Sequence, residues 1–184
     1  MNLTITNHLI EATEYLPSPN HNDRPTNTAI NLLVIHNISL PPGEFAGDAV
    51  KQLFMNQLDA SAHPYFAKIA NNPVSAHAFI QRDGRITQFV PFDKRAWHAG
   101  QSSFKGQENC NDYSIGIEVE GADDIPYTTE QYASLISLTK AIMAVYPDIK
   151  SDRIVGHCDI APERKTDPGP SFDWTFYLHE LETA

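Results

Sequence analysis

The feature that most constrains the fold of this chain is a short, continuous apolar run at residues 31–35, which read Asn-Leu-Leu-Val-Ile. An apolar run of this length without alternation is typical of a β-strand covered on both faces, so the fold needs layers on either side of a sheet. His36 follows directly. It is expected at the carboxyl end of the strand, where open α/β sheets usually bind ligands.

Other segments predict the remaining strands of the sheet. Residues 75–80 and 85–90 flank a turn that contains an Asp-Gly pair, which favours a hairpin because glycine takes positive φ without strain. Residues 114–120 alternate between apolar residues and residues that are polar or glycine. This alternation predicts a strand with one apolar face. Residues 154–155 fit a further short strand.

Helical signals lie between and after these strands. The composition of residues 44–70 favours helix, with a break expected at His63-Pro64. Thr128 and Gln131 fit a capping box ahead of apolar residues at helical spacing, and Pro147 ends that helix. A last helix is expected over residues 174–181, whereas the proline-rich residues 158–171 are expected to be irregular.

Length and composition support one globular domain. The chain has 184 residues, of which 41% are hydrophobic and 20% charged, so it is long and apolar enough to bury a core. We predict an α/β fold, a single domain with a central mixed β-sheet flanked by helices. The domain is expected to span residues 1–184, with its core at about 15–175.

The charge of the chain excludes several partners. Thirteen Lys and Arg against 23 Asp and Glu give a net charge of −10, which repels nucleic acid and anionic membranes. We therefore expect neither as a partner. The N-terminal residues have no basic region followed by a long apolar stretch, so no secretory signal is expected. Two cysteines form no disulfide framework, which favours a reducing compartment, the cytoplasm.

The candidate chemistry follows the predicted strands. His36 and His157 each come after a short apolar strand, and Asp167 lies ten residues beyond His157 in a loop stiffened by proline. Two imidazoles and one carboxylate would leave a tetrahedral Zn²⁺ with one open position, as in catalytic zinc sites. Spacing alone does not select these three, because other histidines are available. They are His21, His63, His77 and His98.

A carboxylate and a cation are the further candidates. Glu118 could take a proton from a metal-bound water, but Glu120 shares its strand face, so alternation does not choose between them. Either could instead be an ordinary solvent-facing residue. Arg164 and Lys165 precede Asp167 and could stabilise negative charge on an oxygen, or simply neutralise an acidic surface. No nucleotide-binding motif is present.

Five segments together resemble the zinc-dependent N-acetylmuramoyl-L-alanine amidases, a family related to the peptidoglycan-recognition proteins. The segments are residues 33–45 (LVIHNISLPPGEF), 74–77 (VSAH), 90–100 (VPFDKRAWHAG), 111–121 (NDYSIGIEVEG) and 156–170 (GHCDIAPERKTDPGP). Five segments in the right order make the resemblance specific. It is strongest to the cytosolic members that act on 1,6-anhydro-muropeptides.

The resemblance implies a peptidoglycan-recognition-like amidase fold and a zinc cofactor. The implied zinc ligands are His36, His157 and Asp167. The implied catalytic residues are Glu118 and Lys165, and the implied substrate-groove residues are Asn37 and Trp97. Where such relatives carry two arginines, this chain has Pro73 and Asn109, so we expect it to hold the stem peptide differently.

The implied reaction is hydrolysis of the amide that joins the lactyl group of 1,6-anhydro-N-acetylmuramic acid to L-alanine, in cytoplasmic peptidoglycan recycling. The expected partner is an anhydromuropeptide, and the chain is expected to be a monomer. One alternative is a broader amidase that acts on intact peptidoglycan. Another is a non-catalytic peptidoglycan-binding module, which is disfavoured because such relatives typically lack a metal ligand and this chain has the full set.

Overall fold

The structure is a computed structural model that describes residues 3–183. Its long strands are those with the clearest sequence signals. In chain order the strands are β1 Ile5–Thr6, β2 Leu9–Ile10, β3 Glu14–Tyr15, β4 His21–Asp23, β5 Leu32–Ile38, β6 Ala78–Ile80, β7 Ile86–Gln88, β8 Lys94–Ala96, β9 Ser103–Phe104, β10 Gln107–Glu108, β11 Ser114–Glu120 and β12 Ile154–Gly156. The α-helices are α1 Ala49–Phe54, α2 Phe66–Ile69, α3 Thr129–Val145, α4 His157–Ile160 and α5 Trp174–Glu182.

The centre of the fold is a six-stranded mixed sheet with the order β12-β5-β11-β6-β7-β3. The first four strands run parallel to one another, β7 is antiparallel to β6, and β3 is parallel to β7. The predicted mixed sheet and the predicted hairpin of β6 and β7 are therefore confirmed.

The central strand β5 is covered on both faces, as its continuous apolar run predicts. Leu33 and Ile35 join the core cluster that includes Leu138 of α3. Leu32 and Val34 lie in a separate cluster on the other face. All four of these strand residues are completely buried. Side chains alternate across a strand, so His36 projects from the face of Leu32 and Val34.

Helix α3 is the main helix on the first of these faces. Its capping box is present: the Thr128 hydroxyl accepts a hydrogen bond from the Gln131 amide at 3.1 Å, and the Gln131 side chain accepts one from the Thr128 amide at 3.1 Å. The helix ends at Val145, two residues before Pro147. Helix α5 also begins where predicted, because the Asp173 carboxylate accepts from the Phe176 amide at 2.9 Å.

Two predictions of local structure were wrong in part. Residues 44–70 contain only the short helices α1 and α2. The break expected at Pro64 is present, but left-handed residues at Ala46 and Asn56 also confine the helix before it to one short segment. The loop expected over residues 158–171 begins within α4, where the Asp159 carboxylate accepts from the Gly156 amide at 2.7 Å and starts a helical turn. No helix within residues 3–183 combines the length and apolarity needed to cross a membrane.

Removal of the α3 cap should lower stability. Thr128→Ala removes the acceptor for the Gln131 amide and the donor to the Arg82 carbonyl at 2.8 Å. We expect the free energy of unfolding in urea to fall by about 1–2 kcal/mol. The control Thr129→Ala makes the same chemical change at an exposed position, and should alter stability by less than about 0.5 kcal/mol. Equal effects of the two substitutions would contradict the capping role.

Candidate metal centre

Parallel strand pairing places the candidate residues at one level of the sheet. Glu118 of β11 pairs with His36 of β5 in register. Gly156 of β12 pairs with Ile35 on the other side of β5, so His157 follows at the level of His36. The chain thus presents two imidazoles and one carboxylate from three adjacent strand ends.

The loop after α4 brings Asp167, the third candidate ligand, to the same level of the sheet. The Cys158 amide donates to the Asp167 carbonyl at 3.0 Å, which anchors the end of the loop beside its beginning. Within the loop, the Lys165 amide donates to the Ala161 carbonyl at 2.9 Å. The proline-rich loop is therefore folded back on itself, with Lys165 and Asp167 held close to the strand ends.

Three candidate ligand atoms converge at this point. The distance from His36 Nδ1 to His157 Nδ1 is 2.9 Å, and each lies 3.1 Å from Asp167 Oδ2. The edges of a tetrahedral zinc site with bonds of about 2.0–2.1 Å are about 3.3 Å, close to these distances. Within residues 3–183, no other group of three His, Cys, Asp or Glu side chains converges in this way.

The donor set fits a cation. His157 Nε2 faces the Ala99 carbonyl oxygen at 3.1 Å, and a carbonyl only accepts, so Nε2 carries the proton and Nδ1 of the neutral ring is bare. That bare nitrogen lies beside the Asp167 carboxylate. Two acceptor atoms this close, in a buried site, need a positive charge shared between them. Nitrogen and oxygen donors of this kind are ligands of Zn²⁺.

The pKa shifts at the centre favour ligand-competent protonation states. Burial lowers the pKa of His36 to about 4, so its imidazole is neutral at neutral pH. Burial opposes ionisation of Asp167, but hydrogen bonding and positive charge on the side of the His157 and His36 rings outweigh it, and they hold the pKa of that carboxyl well below its usual range. The result is a neutral imidazole beside an ionised carboxylate.

The structure distinguishes Glu118 from Glu120, which the alternating pattern of the strand could not do. Glu118 Oε1 lies 4.0 Å from His36 Nδ1, and Glu118 Oε2 is buried without a hydrogen-bond partner. Burial, reinforced by the charge of Asp167, raises the pKa of Glu118 well above its usual value. Glu120 instead accepts from the backbone amides of Ala46 and Arg82, both at 2.8 Å. Glu118 is therefore the carboxyl that faces the centre, and Glu120 ties two loops together.

A cleft opens onto this centre. It has a volume of about 510 Å³. Its lining includes Glu118 and Lys165, and also Asn37 and Trp97. Asn37 donates to Asp123 at 2.9 Å, and Trp97 Nε1 donates to Asn22 at 2.7 Å. The apolar part of the lining includes Leu40, Leu53, Phe54, Ile69 and Val74. The cleft thus joins polar groups at its base to an apolar wall.

The other histidines do not belong to the converging set. His21 contacts the Ser18 carbonyl, and His63 accepts from the Tyr65 amide. His77 accepts from the Gly116 amide. His98 lies behind His36, with its Nδ1 2.9 Å from His36 Nε2.

Sequence reasoning missed how closely the His98 ring packs on the sheet. A Cβ atom at Gly116 would lie 2.4 Å from that ring, so only glycine leaves room for it. The hydrogen bond from His157 Nε2 to the Ala99 carbonyl was missed as well. A backbone acceptor has no signature in a sequence, so no pattern could have indicated it.

Comparisons with known proteins show the family to which this chain belongs. Residues 26–170 match the N-acetylmuramoyl-L-alanine amidase family. The chain belongs to this family. It is 58% identical over 159 residues to the 1,6-anhydro-N-acetylmuramyl-L-alanine amidase AmpD of Escherichia coli K12, covering 86% of each chain. This match confirms the family that the sequence motifs predict.

Solved structures of amidases share the fold. A crystal structure of a selenomethionine derivative of AmpD superposes with a TM-score of 0.94 at 53% identity, covering 96% of this chain and 98% of that one. The amidase AmiD of E. coli, in complex with the substrate anhydro-N-acetylmuramic acid-L-Ala-D-γ-Glu-L-Lys, superposes with a TM-score of 0.62 at 28% identity, covering 97% of this chain and 65% of AmiD. The predicted amidase fold is confirmed.

Substitution of the glycine beneath His98 should disturb the centre of this amidase. Alanine normally stabilises a strand relative to glycine. In Gly116→Ala, however, the new Cβ would overlap the His98 ring. We expect the free energy of unfolding to fall by about 1–3 kcal/mol, measured in urea. Gly47→Ala, where the nearest atom is 4.0 Å away, is the control and should change little. A Gly116→Ala variant as stable as the unmodified chain would contradict the packing described.

Proposed function

We propose that this amidase hydrolyses the bond between the lactyl group of 1,6-anhydro-N-acetylmuramic acid and the L-alanine of the stem peptide, with zinc as its cofactor. The observation that carries the proposal is the convergence of His36, His157 and Asp167 beside Glu118 at the base of a cleft. The identity to AmpD over most of the chain supports the anhydro-sugar substrate. We assign residues 1–184 to one zinc amidase domain, with its core at about 15–175.

His36, His157 and Asp167 are the proposed zinc ligands. Bound zinc supplies an activated water at neutral pH and polarises the scissile carbonyl. The three side chains provide two neutral imidazoles and one carboxylate, which leave a net charge of +1 on the centre. Because three protein ligands leave the fourth position open, the site suits catalysis better than a purely structural role.

Glu118 is the proposed general base. Its carboxyl lies within 4.0 Å of His36 Nδ1, and its second oxygen has no partner in the protein, so the group is available to a water molecule. The buried, acidic surroundings raise the pKa of Glu118. A raised pKa makes the carboxylate a stronger base toward the attacking water, and its protonated form a donor to the departing amine nitrogen.

Lys165 is the proposed oxyanion-stabilising residue. Its positive charge reaches both Glu118 and His36: it partly offsets the rise that burial and Asp167 cause in the pKa of Glu118, and it adds to the fall that burial causes in the pKa of His36. The side chain also lines the cleft. A cation held there by the folded loop would stabilise negative charge that develops on the carbonyl oxygen.

Asn37 and Trp97 are the proposed substrate contacts. Both line the cleft next to the centre, Asn37 as an amide held by Asp123 and Trp97 as a ring held by Asn22. The AmiD complex contains an anhydromuramyl tripeptide, which supports a substrate of this class in the corresponding cleft. Trp97 would offer an apolar face, and Asn37 would offer hydrogen bonds.

We further propose that the enzyme is a cytoplasmic monomer of the peptidoglycan-recycling pathway. Its two cysteines, Cys110 and Cys158, are free, which suits a reducing compartment. The net charge of −10 disfavours nucleic acid and anionic membranes as partners.

Loss of the general base should stop turnover without loss of zinc. We expect Glu118→Gln to retain one zinc per chain and to lose about 10²–10⁴-fold in kcat on a purified anhydromuropeptide. Metal analysis and release of free peptide are the measurements. The control Glu163→Gln removes a carboxylate from an exposed position nearby, and should keep full activity. A Glu118→Gln enzyme of undiminished kcat would exclude the assignment.

Metal removal distinguishes the proposed amidase from its alternatives. A chelator should abolish release of peptide and anhydro-sugar, and added zinc should restore it. Intact peptidoglycan, tested in parallel, should be cleaved much more slowly than the soluble anhydromuropeptide. Faster cleavage of intact wall would favour the broader amidase, while binding without any product would favour the non-catalytic module.

A further inference from the structure

One two-residue segment touches the outer nitrogens of both imidazoles at the centre. The His98 ring nitrogen Nδ1 lies 2.9 Å from His36 Nε2, and the Ala99 carbonyl oxygen lies 3.1 Å from His157 Nε2. His98 and Ala99 follow directly after β8 and Trp97. We refer to residues 98–99 as the strap. The orientation of both imidazoles therefore depends on where the strap lies.

One side chain holds both backbone amides of the strap, while the Arg164 guanidinium donates to the Ala99 carbonyl at 2.7 Å. Asn111 Oδ1 accepts hydrogen bonds from the His98 amide at 3.1 Å and from the Ala99 amide at 2.8 Å. Asn111 lies in the 3₁₀ turn Cys110–Asp112, three residues before Ser114 opens β11, and is only 7% exposed. A buried oxygen that accepts from two consecutive amides fixes both the position and the direction of the strap.

The His98 ring is held from its far side as well. Its Nε2 lies 3.2 Å from Ser114 Oγ, and the ring packs on Gly116. If His36 binds a metal through Nδ1, its Nε2 carries the proton and donates to His98 Nδ1, so His98 Nε2 in turn donates to the Ser114 hydroxyl. Asn111, Ser114 and Gly116 thus hold the strap to β11, the strand that also carries Glu118, and to the turn that precedes it.

We propose that Asn111 is a positioning residue of the metal centre. By holding the strap, it orients the imidazoles of His36 and His157 so that both Nδ1 atoms face one point. The proposal rests on the zinc centre proposed above. It goes beyond that centre in assigning part of the alignment of both histidine ligands to a carboxamide that touches neither of them.

Zinc affinity of Asn111 variants tests this role. Asn111→Leu keeps the size of the side chain but removes the acceptor, and Asn111→Asp keeps an oxygen in its place. We expect Asn111→Leu to lose about 10–100-fold in zinc affinity, the effect typical of residues that orient metal ligands, measured by competition with a chromophoric chelator. Asn111→Asp should recover most of that loss. Visible spectra of cobalt-substituted protein should change for Asn111→Leu and stay near those of the unmodified chain for Asn111→Asp.

A stability control separates positioning from general destabilisation. Thr128→Ala lowers stability at the start of helix α3 without changing any contact of the strap, and should leave zinc affinity and the cobalt spectrum unchanged. If Asn111→Leu does not fold, Asn111→Ala replaces it, because it removes the acceptor without bulk. A folded Asn111→Leu or Asn111→Ala with unaltered zinc affinity and cobalt spectrum would overturn the proposal. Failure of the unmodified chain to bind zinc would instead overturn the zinc centre itself.

Discussion

The structure of this amidase depends above all on the parallel pairing of β5 with its two neighbours. Hydrogen bonding in register places His36 opposite Glu118 and brings His157 to the same level from the other side. Because side-chain direction alternates along a strand, a slip of one residue in either pair would turn the affected side chain to the opposite face. The buried apolar residues of β5 oppose such a slip, so core packing and site geometry are fixed together.

Burial at the carboxyl ends of these strands then sets the chemistry. It keeps the His36 imidazole neutral and raises the pKa of Glu118, which makes its carboxylate a stronger base, while Asp167 stays ionised between the two imidazoles. The chain carries a net charge of −10, yet zinc bound by this ligand set and Lys165 would make the base of the cleft locally positive. Because salt screens distant charge beyond about 10 Å, local charge governs how an acidic muropeptide is held.

The fold was largely predictable because its elements have local signals. β11 has the bounds that its alternation predicts, and α3 begins at the predicted capping box. The helical prediction for residues 44–70 was wrong in part, since composition alone did not register the left-handed residues on either side of α1. His36 and His157 are 121 residues apart, so spacing could not pair them; the family motifs did. The strap depends on backbone atoms and Asn111, whose partnership only the folded chain reveals.

The central claim is that three distant side chains of the amidase form one zinc centre. X-ray absorption spectroscopy of the chain loaded with one equivalent of zinc tests it most directly, compared with Asp167→Asn and with His63→Gln as a control. The account predicts two imidazole nitrogens and one carboxylate oxygen in the first coordination shell, a shell altered by Asp167→Asn and unaffected by His63→Gln. A first shell that contains sulfur, or one that Asp167→Asn leaves unchanged, would contradict the proposed zinc centre.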